Sequence, residues 1–140
     1  MGTRFVATHE CDASIKFKEA YIESKKEDLT IIDSPVGLPG RAIRNRFLEE
    51  VSSGNRRPFK CPWVCLKTCD LESAPYCICV ALTNAKKGEL ERGFAFAGAN
   101  AFRVNTIISV RELIETLLME YENAASTYTA LTNKAIRQGL

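Results

Sequence analysis

Gly93-Phe94-Ala95-Phe96-Ala97-Gly98-Ala99-Asn100-Ala101, followed by Ser109-Val110-Arg111-Glu112-Leu113-Ile114, is the stretch that decides how this chain folds. The first part is short, apolar and bounded by glycine, which predicts a buried strand ending at Gly98. Small residues after Gly98 leave open space at the strand's C-terminal end, where barrels and open α/β sheets place their ligands. The plainer reading is a strand-to-loop turn. Ser109 and Glu112 have the spacing of a capping box, which starts a helix. Leu113, Ile114, Leu117, Leu118 and Tyr121 give that helix an apolar stripe expected to be buried. Beyond Asn123 the pattern fades into Ser, Thr and Asn.

Working outward, the other segments are mostly helical. Phe17, Ala20 and Tyr21 share one face of a helix running from Asp12 or Ser14 to about Lys25. Leu29-Thr30-Ile31-Ile32 is β-branched and predicts a short strand. Ser34-Pro35-Val36-Gly37-Leu38-Pro39-Gly40 is rich in breakers and reads as a loop. Asn45 is placed to cap a second helix carrying Phe47, Leu48 and Val51, which Ser52-Ser53-Gly54-Asn55 ends. Ser73, with Pro75 in the first turn, predicts a third helix. Ile78, Ala81, Leu82 and Ala85 are its stripe and Gly88 its stop. Arg4-Phe5-Val6-Ala7 reads as extended, with no strand before it, so the chain reads as beginning in mid-element. The expected fold class is mainly α with short β segments.

Composition narrows the function classes. The chain has 140 residues, of which 46% are hydrophobic and 26% charged, with a formal net charge of +2. That suits one soluble domain with a modest core. The basic pairs Lys25-Lys26, Arg56-Arg57 and Lys86-Lys87 are scattered rather than gathered into a stripe, so no nucleic-acid partner is expected. There is no signal-peptide apolar region and no run long enough to span a membrane, which makes a cytoplasmic location the default.

Six cysteines are present, five of them within Cys61, Cys65, Cys69, Cys77 and Cys79. In a reducing compartment they read as thiols or metal ligands rather than disulfides. Their spacing matches neither the usual zinc knuckles nor the ferredoxin runs. Buried small hydrophobes are the plainer reading, and no metal ligand is assigned. His9 is the one histidine; without a triad or metal trio it reads as a loop residue. Gly2-Thr3 could bring backbone amides and a hydroxyl to a phosphate, although turns use such pairs constantly.

Taken together, several passages resemble one family. Met1-Gly2-Thr3-Arg4-Phe5-Val6-Ala7-Thr8-His9-Glu10 is similar to the segment that closes the flavin-phosphate site in nitronate monooxygenases (2-nitropropane dioxygenases) and the related flavin-dependent enoyl-acyl-carrier-protein reductases. Ser34 to Asn45 and Cys61-Pro62-Trp63-Val64-Cys65-Leu66-Lys67-Thr68-Cys69 resemble the small domain of one subgroup. Phe96 to Ala101, with Ile107 to Ile114, resembles the return into the barrel and its final helix. The likeness runs from Met1 to about Glu122 and keeps the family's order.

The resemblance implies the C-terminal fragment of a flavin-binding (β/α)8 barrel with its small inserted domain. Residues 1–8 would be the end of the last barrel strand and the phosphate loop. Residues 9–92 would form the small helical cysteine-containing domain, 93–124 the return strand and final barrel helix, and 125–140 a polar tail. Gly2, Thr3, Gly98 and Asn100 carry over as FMN-binding residues, with Asn100 where relatives often have Gln. No catalytic residue carries over, because His9 follows the Gly-Thr motif and does not match the family's histidine. A whole barrel needs about 250 residues, so Met1 fits an internal methionine of a longer ancestor or a misplaced start. The expectation is a fragment of an FMN-dependent oxidoreductase that oxidises alkyl nitronates or, as the alternative, reduces enoyl thioesters; the fragment is expected to bind FMN weakly or not at all and to be inactive alone. Its partner would be a second copy or a separate N-terminal barrel chain. An independent cysteine-rich metal-binding or interaction module is the reading from another class.

Overall fold

The computed structural model describes residues 2–55, 61, 65–67, 69–70 and 72–137, with side chains described to 132. Met1, Arg56-Arg57, Pro62-Trp63-Val64, Thr68 and residues 138–140 of the tail, all used above, lie outside the described residues. The fold is mainly helical around a small two-stranded sheet. Helix α1 spans Gly2–Val6, α2 Ile15–Glu23, α3 Arg46–Ser52, α4 Ile78–Lys86 and α5 Val110–Arg137; the strands are β1 (Leu29–Asp33) and β2 (Pro39–Ile43).

β1 and β2 form an antiparallel hairpin in which Leu29 faces Ile43 and Asp33 faces Pro39. The expected loop therefore stops at Leu38, and its last two residues, Pro39 and Gly40, already belong to β2. Proline is tolerated at a strand's first position because its missing N–H is not needed there. Ser34 to Gly37 make the turn, closed by the Gly37 N–H donating to the Ser34 carbonyl at 3.0 Å.

The segment at 93–97 lies along the free edge of β2. The Ile43 N–H donates to the Ala95 carbonyl at 3.0 Å, and the Ala97 N–H to the Arg41 carbonyl at 2.9 Å. Only Phe96 makes a bridge in the regular sense, to Ala42. The expected strand is thus a short third edge. It separates two apolar clusters. On one face Ala42 and Phe94 pack with Ile32, Phe47, Leu48, Tyr76 and Ala81; on the other Ile43, Ala95 and Ala97 pack with Tyr21 and Ala101. Phe94 is wholly buried among Phe47, Tyr76 and Phe96, with ring centroids 5.0–6.1 Å apart. Such aromatic pairs add about 0.5–1.5 kcal/mol each beyond their area. Tyr76 has its hydroxyl buried with no hydrogen-bond partner among the described residues, and burial pushes its pKa up to about 12.

Asn45 fastens this arrangement. Its Oδ1 accepts from the Leu48 N–H at 3.1 Å, capping α3 as expected. Its Nδ2 donates to the Leu90 and Gly93 carbonyls at 3.0 and 2.8 Å, which pins the start of the 93–97 edge. Gly93 itself presses on α4, where a β-carbon would run into the Ala81 carbonyl oxygen.

Four expectations change. Gly2–Val6 is helical rather than extended, so Phe5 lies on a helix. Among the described residues, the strand-like pairing of this region is the bridge of Thr8 to Ile108, and the backbone polar groups before it are taken up within the helix. Ser73 does not cap α4, which starts after Cys77; its hydroxyl is engaged by Asp70 instead. Helix α5 does not fade at Asn123 but runs to Arg137. There Thr127, Thr129 and Thr132 donate to the carbonyls four residues back at 2.8, 3.0 and 2.9 Å, so their hydroxyls do not compete with the helix. Finally, the α5 stripe is buried only at Leu113 and half-buried at Leu117. Ile114, Leu118 and Tyr121 are exposed.

Substitutions at two positions test the fold. Gly93→Ala should lower unfolding free energy by about 3 kcal/mol, since α4 or the edge must shift. Asn45→Ala should cost about 2 kcal/mol, and Asn45→Asp should recover only part, because it restores the cap but not the two donors. Denaturant unfolding monitored by far-ultraviolet circular dichroism reads all three variants.

Candidate functional site

Residues far apart in sequence meet where α1 faces the turn after the 93–97 edge. The Gly98 N–H donates to Thr3 Oγ1 at 3.0 Å. A β-carbon at Gly98 would sit 3.3 Å from that same oxygen, tighter than side chains normally tolerate, so the approach favours glycine. After Gly98 the chain closes a single 3-10 turn at Ala101–Arg103, held by the Ala101 N–H to the Gly98 carbonyl at 3.0 Å and the Arg103 N–H to the Asn100 carbonyl at 3.1 Å. Between these pieces and α5 is a cleft of about 520 Å³, with Thr3, Arg4, Gly98, Asn100, Arg103 and Leu117 in its walls.

Three of the four sequence-nominated residues therefore share one site. Gly2, at the start of α1, is not in the lining. The sequence reading missed the charged groups. Arg4 reaches across to α5 and makes a two-pronged ion pair with Glu120, at 2.7 and 3.3 Å. That pair holds the Glu120 carboxyl below its ordinary range. Arg103 also lines the cleft, exposed, with its guanidinium 5.9 Å above the Phe102 ring. Its signal was available: a basic residue three positions after Asn100 returns to the same side of a 3-10 turn.

The near wall is held from behind. Lys18 is 6% exposed, and its ammonium donates to the carbonyls of Thr8 at 2.7 Å and His9 at 3.4 Å. Glu10, the acidic residue of the N-terminal motif, accepts from the Val110 N–H with both carboxylate oxygens, at 3.0 and 2.9 Å. It satisfies an otherwise free amide in the first turn of α5. The expected Ser109–Glu112 capping box is also formed, at 2.8 and 3.2 Å. His9 is exposed and outside the cleft; its backbone N–H donates to the Ile108 carbonyl at 3.0 Å.

The cysteines form a separate group. Cys65 and Cys79 have their sulfurs 3.8 Å apart. Burial, then the neighbouring thiols of Cys61, Cys77 and Cys65, push the Cys69 thiol up. Cys79 is raised chiefly by its hydrogen bond to Cys65. Among the described residues no three His, Cys, Asp or Glu side chains are grouped to hold a metal ion, and no helix is long and apolar enough to cross a membrane.

Comparison with known proteins bears on this site. The sequence pattern of the family described as nitronate monooxygenase matches residues 1–120. A probable nitronate monooxygenase of Staphylococcus aureus strain Newman is 40% identical over 52 residues, which is 37% of this chain and 15% of that protein. The corresponding protein of strain JH9 is 38% identical over the same shares. FabK from Thermotoga maritima has the same fold over 93% of this chain and 38% of its own, with a TM-score of 0.71 and 27% identity. The chain thus spans well under half the length of the relatives it matches.

The acid response of the site follows from the depressed carboxyls. Glu112 and Glu120 both titrate below their ordinary value of 4.5 in the folded chain, Glu112 because of Ser109 and Glu120 because of Arg4. The unfolded chain therefore takes up protons first as pH falls. Their stabilisation is present above pH 4.5 and is lost as pH drops through the lowered folded values. Glu120→Gln should flatten part of the fall in denaturation midpoint between about pH 6 and pH 3. An unchanged slope would show that the Arg4–Glu120 pair does not hold in solution.

Proposed function

The chain belongs to the nitronate monooxygenase family, and on that premise we propose that it supplies the phosphate side of the flavin site of an FMN-dependent oxidoreductase that oxidises alkyl nitronates. The observation that carries this reading is the 3.0 Å hydrogen bond from Gly98 to Thr3, which gathers both flavin-associated motifs at one cleft.

The cleft suits the phosphate end of FMN. Thr3 Oγ1 accepts from Gly98, so its hydroxyl hydrogen remains for an anion. Arg103 provides a cation at the rim. Glu120 lies in the wall, but Arg4 neutralises it and spares a phosphate its repulsion. Gly98 keeps the approach free of a side chain. When bound, the flavin ring supplies the electron transfer. The chain's own residues bind and orient the phosphate, with Asn100 beside it in the place where relatives often have Gln. Glu120 is the lining's one ordinarily titrating group, and its engagement by Arg4 leaves it unsuited to proton transfer. His9 is outside the cleft. The catalytic base and the ring pocket of the full site are therefore assigned to the barrel portion of the family fold, and this chain alone is assigned no turnover. Reduction of enoyl thioesters is a second reading, favoured by the extent of the fold likeness to FabK.

Titration with FMN and with riboflavin, followed by fluorescence, tests the assignment. FMN should bind weakly, with Kd of about 100 µM or above, and riboflavin more weakly still. Arg103→Ala and Thr3→Val should remove the difference between them. Equal affinities in the unaltered chain would sink the phosphate assignment. Submicromolar FMN binding, or nitronate-dependent oxygen uptake by the 140-residue chain, would show the site to be complete as it stands.

A further inference from the structure

The clustered cysteines have no part in the Thr3–Gly98 cleft. Two of them, Cys65 and Cys79, are exposed, whereas Cys61 and Cys69 are half-buried and Cys77 is buried. The exposed pair is in contact, sulfur to sulfur at 3.8 Å, across a sequence separation of 14. The two come from different elements. Cys79 is the second residue of α4, which Ala81 and Ala85 fix in the core. Cys65 lies just before an exposed turn, which the Cys69 N–H closes by donating to the Leu66 carbonyl at 3.2 Å.

A second thiol offers a thiol little, because S–H is a weak donor and sulfur a weak acceptor. That contact alone is a poor reason for two exposed side chains to meet. A covalent bond is a better one: from 3.8 Å the sulfurs need to close by about 1.8 Å. With α4 fixed, the exposed Cys65–Lys67 segment makes that movement. A structural zinc ion would want four ligands; among the described residues no group of three is placed for one, and the contact joins two.

We propose that Cys65 and Cys79 form a reversible disulfide, closed by exchange with a low-molecular-weight disulfide and reopened by the corresponding thiol. In the first step one of the pair, as its thiolate, attacks a sulfur of the reagent RSSR. The reagent's S–S bond breaks, and RS⁻ leaves with the bonding electrons and takes up a proton. In the second step the other cysteine, having given its proton to water, attacks the protein sulfur of the mixed disulfide and expels the second RS⁻. The protein is oxidised by two electrons, and RSSR is reduced to two RSH. The bond ties the turn after Cys65 to the first turn of α4. That turn also carries Ala81, whose carbonyl oxygen meets Gly93 at the start of the 93–97 edge.

The reduced full chain, incubated with oxidised glutathione, alkylated and mapped unreduced by tandem mass spectrometry, tests this. The Cys65–Cys79 link should exceed any other cysteine pairing by about tenfold, and reduced glutathione should reopen it. Cys79→Ser should leave Cys65 as a mixed disulfide with glutathione, because the second attacker is gone; Cys65→Ser should do the same to Cys79. The oxidised chain should melt about 5–10 °C higher than the reduced one, since the bond closes a loop in the unfolded chain. Links dominated by Cys61, Cys69 or Cys77, mixed disulfides that persist in the unaltered chain, or a lowered melting point overturns the proposal. So does co-purifying zinc or iron that shields both thiols until a chelator is added. The map of the unaltered chain decides whether or not a variant folds. Every measurement is made without flavin, so failure here leaves the phosphate-site reading to its own titration.

Discussion

Two backbone hydrogen bonds, from Ile43 to Ala95 and from Ala97 to Arg41, set the rest of the arrangement. They fix which face each residue of the 93–97 edge presents. Phe94 goes to the α3–α4 side, while Ala95 and Ala97 go to the α2 side. A shift of one residue would put a phenylalanine where only alanine fits and send every side chain to the opposite face. The small residues on the α2 side also admit Tyr21, whose hydroxyl donates to the Phe96 carbonyl at 2.7 Å. Because the edge is in register, Gly98 emerges opposite Thr3. The cleft is therefore a consequence of strand register, and the contact between α1 and residue 98 completes it.

This dependence explains what could be read from sequence. Asn45, Gly88 and the Ser109–Glu112 box were legible because caps and stops are local: Asn45, Ser109 and Glu112 make the capping bonds with their own side chains, and Gly88 takes the positive φ of 89° that ends α4. The Gly2-Thr3 and Gly98–Asn100 motifs were legible as fragments, but their meeting depends on the hairpin between them and has no local signature. The helical form of Gly2–Val6 was misread because apolar residues in so short a span fit either period. The full length of α5 was missed for another reason. Threonines lower helix propensity on average, yet here three of them bond within their own helix.

Glu10 shows how a motif residue can be present for geometry rather than chemistry. An acidic side chain soon after a Gly-Thr-Arg-Phe stretch invites a reading as a base or ligand. Its two oxygens are spent on one backbone amide of α5. It joins the loop behind α1 to the helix that forms the far wall of the cleft, and Arg4 with Glu120 joins the same two elements on the cleft side. Both walls are thus tied twice, once on each side of the Thr8–Ile108 bridge.

Lys18 gives this construction a built-in reporter. A lysine ammonium is normally open to acylating reagents, but this one is enclosed and occupied by two carbonyls of the segment that follows α1. Reagent can reach it only when that segment lifts away, and the same excursion releases the support behind Thr3. The slow acylation of this amine, followed residue by residue in a digest of native protein, would therefore count how often the near wall of the cleft comes apart.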